Sequence, residues 1–132
     1  MLKSDAFSYV NLMDKALDAS WQRETVISNN IANADTPGYK RSDVKFQDIL
    51  LDALDSTKYK NLDMAVKSQN YNDDSLDGEV YLDYPQYDYR LDTNNVDIDQ
   101  EKTEYAVEQL RYQAIATSIS SEFSRFEVVT KS

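Results

Sequence analysis

The chain has 132 residues, room for one domain, with 14 basic against 24 acidic residues and a formal charge of −10. It has no cysteine and no histidine, which removes disulfides, thiolate nucleophiles, sulfur-based zinc sites and Ser-His-Asp or Cys-His catalysis. The acidic balance argues against a nucleic-acid backbone as partner, and no run approaches the roughly 18 apolar residues of a membrane-spanning helix.

From Ala6 to Ala34 there is no Gly and no Pro. Apolar or small residues recur at Ala6, Tyr9, Val10, Met13, Ala16, Leu17, Ser20, Ile27, Ile31 and Ala34, the rhythm of one helix face, broken at Glu24. A helix on the order of 45 Å is expected. A second row, Leu12, Ala19 and Val26, runs beside the first. Trp21, between polar neighbours, reads as a packing or interface anchor. Asp35-Thr36-Pro37-Gly38 ends the helix, because Pro cannot continue the ladder and Gly supplies a positive φ. A short second helix follows, with Phe46, Ile49, Leu50, Ala53 and Leu54 on one face and Ser42 or Asp43 as its cap.

Residues 59–95 change character. Six of the ten tyrosines fall there, and aliphatic residues are sparse. Asn72 to Gly78 is a turn signal. Val80 to Arg90 alternates enough for a short strand or hairpin arm, which Pro85 would confine to an edge. The composition equally permits a flexible loop. The segment is expected to face outward or toward neighbouring subunits.

The last part is periodic again. Ile98, Tyr105, Tyr112, Ile119 and Phe126 lie seven apart, with Ala106, Leu110, Gln113, Ala114 and Thr117 in a row beside them. A helix from about Asp97 to Val129 is expected. The fold class is therefore mainly α: long N- and C-terminal helices packed as a coiled-coil pair, a short extra helix, and a polar middle that is partly β or irregular. As one domain it divides into 1–36, 37–95 and 96–132. Two stripes buried only on each other make a thin core. The surplus rows suggest burial against other chains, with a self-contained bundle as the alternative.

Candidate chemistry is thin. Asp73-x-Ser75-x-Asp77-Gly78 opens like a calcium loop, but Tyr84 stands where the closing Glu should be, so it reads as an acidic turn. Asp97, Asp99, Glu101 and Glu108 read as acids favoured at a helix start. No acid pair has a glycosidase spacing, and two glycines cannot build a phosphate loop. No catalytic residue, cofactor, metal, nucleic acid or small-molecule substrate is expected. The residues read Met-Leu-Lys-Ser-Asp at the start lack the apolar core of a cleavable secretion signal, so the chain either stays in the cytoplasm or leaves by a route that does not read one.

One stretch is specific. Asn29-Asn30-Ile31-Ala32-Asn33-Ala34-Asp35-Thr36-Pro37-Gly38-Tyr39-Lys40 resembles the N-terminal signature of the bacterial flagellar rod and hook family. Its Asn and Thr side chains are suited to hydrogen-bond backbone groups freed at the helix end. The short middle segment, Arg41-x-x-Val44-x-Phe46, Asn95-Val96-Asp97-Ile98-Asp99-x-Glu101 and Leu110-Arg111-Tyr112-Gln113-Ala114 resemble the short proximal-rod members. The FlgC type of short rod protein, which usually lacks the Val-Asp-x-Asp lead, is one alternative. A non-catalytic helical binding module is the other. Lys102 stands where family members often carry an apolar residue.

The resemblance implies a structural subunit of the proximal rod, the hollow drive shaft that transmits torque and passes exported proteins. It implies uncleaved export by the flagellar type III apparatus and assembly in the periplasm. Implied partners are copies of the chain itself, rod subunits of the FlgC type, the adaptor of the FliE type and, transiently, the export gate. Termini that order on assembly are implied too. The residues expected at assembly interfaces are Met13, Leu17, Trp21, Ile27 and Ile31 in the first helix, and Leu110, Tyr112, Ile119, Phe123 and Phe126 in the last. Asn30, Asn33, Thr36, Pro37, Gly38 and Tyr39 are expected to hold the turn.

Overall fold

An antiparallel pair of long helices forms the frame in a computed structural model, which describes residues 7–55, 57–83 and 94–131. Helix α1 is Ser8–Ala32 and helix α4 is Ile98–Lys131. Between them come strand β1 (Ser42–Lys45), helix α2 (Gln47–Ala53), helix α3 (Leu62–Lys67), a 3-10 turn (Asp74–Leu76) and strand β2 (Glu79–Leu82). Among the described residues no helix is long and apolar enough to cross a membrane.

The two helices run in opposite directions. Phe7, just before α1, stacks on Phe126 near the end of α4, with ring centroids 4.5 Å apart. At the other end Asn30 reaches Glu101, near the α4 start. The expected mainly helical architecture is thus present, and its polarity is antiparallel. Gly38 takes φ 74° in the turn after α1, the left-handed conformation expected of it.

The middle segment departs from expectation. Ser42 and Asp43 do not cap α2; they lie in β1, and Phe46 occupies the cap position with no side-chain hydrogen bond. Strand β2 supplies the short strand expected from Val80 onward. It pairs antiparallel with β1, Ser42 opposite Leu82 and Lys45 opposite Glu79. Tyr84, Pro85, Tyr87, Tyr89 and Leu91 lie outside the described residues.

Nor does the whole middle face outward. Val66, Tyr71 and Leu76 form a buried cluster on which Leu12 of α1 packs, with Leu50, Ala53 and Leu54 of the α2 region. Burial pushes the Tyr71 phenol up to about 12, helped by Tyr9, and its hydroxyl donates to the Val66 carbonyl. The acidic turn is stitched to α1 as well: the Lys15 ammonium donates to the Asp73 carbonyl at 3.1 Å and pairs with Asp77. Asp73 accepts from the Ser75 amide and hydroxyl, an ordinary Asx turn. At Gly78 the chain passes so close to α1 and β1 that a Cβ would stand 2.6 Å from Gln22 Oε1 and 2.8 Å from Val44 Cγ1. The second row of α1 is therefore covered within the chain at Leu12 and Ala19 and is not surplus.

Candidate functional site

The seam between α1 and α4 is polar where it is most buried. Within α4 the fully buried side chains are Glu101 and Glu108, seven residues apart and so two turns along one face. Each meets an arginine from elsewhere in the chain. Arg41 Nε donates to Glu101, and its Nη1 pairs with Asp83. Arg23 donates from Nη1 to Glu108 at 2.8 Å and from Nε to Asp43 at 2.9 Å. Glu104 sits between the two arginines, 3.2 Å from Arg23 and 3.5 Å from Arg41. Ser20 donates to Glu108 at 2.7 Å, and Arg111 is the second cationic partner of Glu108 at 3.1 Å.

Burial opposes the arginine charges, but the hydrogen bonds and charges of Asp43 and Glu108 around Arg23, and of Glu101, Asp83 and Asp43 around Arg41, outweigh it and raise both pKa values. Asp43 answers them. Burial would lift its carboxyl, but the Arg23 hydrogen bond, the Val44 amide and both arginine charges hold it below the ordinary carboxylate range.

A ring of amides completes the junction. Asn30, fully buried, treats β1 as a neighbouring strand would: its Nδ2 donates to the Ser42 carbonyl at 2.8 Å and its Oδ1 accepts from the Ser42 amide at 2.9 Å. Asn30 Nδ2 also donates to Glu101 at 3.1 Å, and Tyr39 donates its hydroxyl to Asn30 at 3.2 Å. Burial, then the Glu101 charge, raises the Tyr39 pKa, so the phenol stays a donor at neutral pH. Asn94 donates to the carbonyls of Asn33, Ala34 and Thr36 at the end of α1. Asn95 accepts from the Arg41 amide at 2.7 Å and donates to the Asp83 carbonyl at 2.7 Å. No buried side-chain polar atom among the described residues lacks a partner.

The expected turn residues divide. Asn33 and Thr36 act locally: Asn33 donates to the Asn29 carbonyl and Thr36 to Asn33 Oδ1. Pro37 and Gly38 make the exposed bend. Asn30 and Tyr39 belong instead to the junction with β1 and α4. At the start of α4, Asp97 does what an acid at a helix start should, accepting from the amides of Asp99 and Gln100. Glu101 and Glu108 correct the sequence reading: they face inward to arginines and do not simply meet the helix dipole in solvent. Their spacing in register with Tyr105 and Tyr112 was the available signal. Arg23, Arg41, Asn94, Asn95 and Asp43 were not anticipated as a cluster, since most of their partners lie 12 to 85 residues away.

The residues expected at assembly interfaces also divide. Ile27 is fully buried within the chain, and Met13, Leu17, Ile31, Tyr112, Ile119 and Phe126 are half-buried. Trp21, Leu110 and Phe123 stay 61%, 67% and 48% exposed. Ile98, expected at the head of the seam, is exposed as well. Ala106, Val107, Leu110 and Ala114 form an exposed apolar run on the side of α4 turned away from Glu101 and Glu108, and Val128 is exposed separately near the end of the helix.

Comparison with known proteins adds a third line. A family model described as flagella basal body rod protein matches residues 15–40, which span α1 from Lys15 onward and the turn after it. The flagellar basal body rod protein FlgB of Bacillus subtilis (strain 168) is 34% identical over 89% of this chain and 88% of its own length. The Borrelia hermsii protein of the same name is 33% identical over 92% of this chain and 95% of its own. That of Escherichia coli (strain K12) is 32% identical over 86% of each.

Proposed function

The chain belongs to the FlgB family of flagellar basal body rod proteins, and from that membership we propose that it builds the proximal rod by packing its terminal helices against those of neighbouring subunits. The work is mechanical and not catalytic. A subunit that carries torque must not slacken internally, and the buried ion-pair and amide junction supplies that stiffness. It must also offer apolar area to its neighbours, and the exposed stripe of α4 with Trp21 and Phe123 supplies that. The observation that carries the reading is this division: polar groups satisfied inside, apolar groups left outside.

Partners in this reading are further copies, rod subunits of the FlgC type, the adaptor of the FliE type and, in transit, the export gate. Export is by the flagellar type III apparatus without cleavage, and the chain stands in the periplasmic part of the basal body as one domain. Phe123→Asp tests it. Phe123 is half exposed in the free chain, so the helix pair should keep its circular dichroism and its export. Loss of an interface Phe is worth on the order of 1.5–3 kcal/mol at each subunit contact, so rods and swimming should be lost. Wild-type swimming with Phe123→Asp and with Leu110→Asp would refute the interface.

A further inference from the structure

Between α1, the β1–α2 corner and α4 lies a groove of about 360 Å³. Ala16, Val44, Phe46 and Ile115 give it apolar walls beside the ion-paired Arg23, Asp43 and Glu108, and Gln47 and Arg111 stand at its exposed margin. Arg111 gives one N–H to Glu108, yet its side chain is 54% exposed. On α1, Trp21 lies on the side opposite Ala16, Ser20 and Arg23, by helical spacing. It is the only tryptophan in the chain. Asp14 and Asp18 stand seven and three residues before it, hence on the same face.

We infer that copies of this chain join head to tail, the indole of Trp21 from one copy entering this groove on the next. The inference rests on the rod-subunit reading. Three features fit the occupant to the site. The groove falls within the size of pockets that take a bulky ring, and an aromatic anchor buries on the order of 150–250 Å². The guanidinium of Arg111 is placed to lie on an indole face, a cation–π contact. Charge complements charge: Asp18 travels with the indole toward Arg111. Burial and the charges of Asp14 and Asp77 raise the Asp18 pKa, with Lys15 opposing, so an incoming cation relieves repulsion. Knob and hole lie on opposite sides of one helix, so the contact cannot close on itself as a two-fold dimer. Repetition makes a ring where the rotation closes and an open helix where it does not, and either arrangement places copies around a common axis.

The full chain has no cysteine, so engineered thiols report this contact alone. Thr25→Cys, one turn from Trp21 on the same exposed face so that the indole is kept, and Gln47→Cys are introduced together in cells that build flagella, and a short thiol cross-linker is added. The inference expects a ladder of linked dimers, trimers and higher forms from the double variant and none from either single one. A dimer from Thr25→Cys alone, without a ladder, overturns it in favour of a face-to-face contact. No linkage in basal bodies that contain the double variant overturns it and leaves the rod reading standing. Absence of the unaltered chain from basal bodies removes both.

A second readout keeps the indole in place. As the purified full chain is concentrated, the emission of its single tryptophan should shift to the blue. Ala16→Phe, which fills the groove, should abolish the shift while circular dichroism is unchanged. Arg111→Gln should raise the concentration for half the shift about two- to fivefold, the worth of a cation on an indole face. A shift that survives both substitutions overturns the inference.

Discussion

Asn30 is a single side chain on which three segments depend. It bonds both backbone groups of Ser42, reaches Glu101 and accepts from Tyr39. Asn30→Ala leaves buried groups on all three without partners, and each unsatisfied group costs about 1–3 kcal/mol. We expect urea unfolding to register a loss of about 2–4 kcal/mol, more than a truncation of that size costs at the surface. Asp43 makes a pH prediction. Its native pKa is depressed, so its contribution is full above the ordinary carboxylate range, roughly pH 4, and is lost as pH falls through the lower native value. Asp43→Asn should therefore lower stability at neutral pH and flatten the acid limb of the stability profile. An acid limb as steep as wild type in urea titrations at pH 2–5 would refute that.

At the scale of elements, the long helices were legible in the sequence and the middle was not. A heptad rhythm without Gly or Pro placed α1 and α4 within a few residues of their observed bounds, because local periodicity carries a helix of 25 or 34 residues. Strands of four residues leave no such trace. β1 and β2 exist because each covers the other and β1 rests on Asn30, a non-local pairing that propensity cannot register. The apolar seam was half right: Tyr112, Ile119 and Phe126 turn inward, but Glu101 and Glu108 hold its deepest positions. Acids at a helix start ordinarily face solvent, and only the arginines brought by the fold reverse that. Gly78 tests how tightly the middle is drawn onto the frame. Gly78→Val forces side chains into Val44 and Gln22 and should cost about 1–3 kcal/mol. Hydrogen exchange should quicken at the β1 and β2 amides first, with the α4 core unchanged.

For the whole molecule, the formal charge of −10 sets the terms of association. Identical acidic chains repel at long range, and salt shortens that reach from about 30 Å at 0.01 M to about 8 Å at 0.15 M. Sedimentation should find self-association strengthened over that range, in spite of the local attraction of Arg111. Inside each molecule the ion pairs have another consequence. Two helices joined by a uniform oily strip can creep past each other by one turn, about 5.4 Å, with little change in what is buried. Here one such step would tear Glu101 from Arg41 and Glu108 from Arg23 in a single stroke, leaving buried charges bare. The hairpin is thus ratcheted against lengthwise slip.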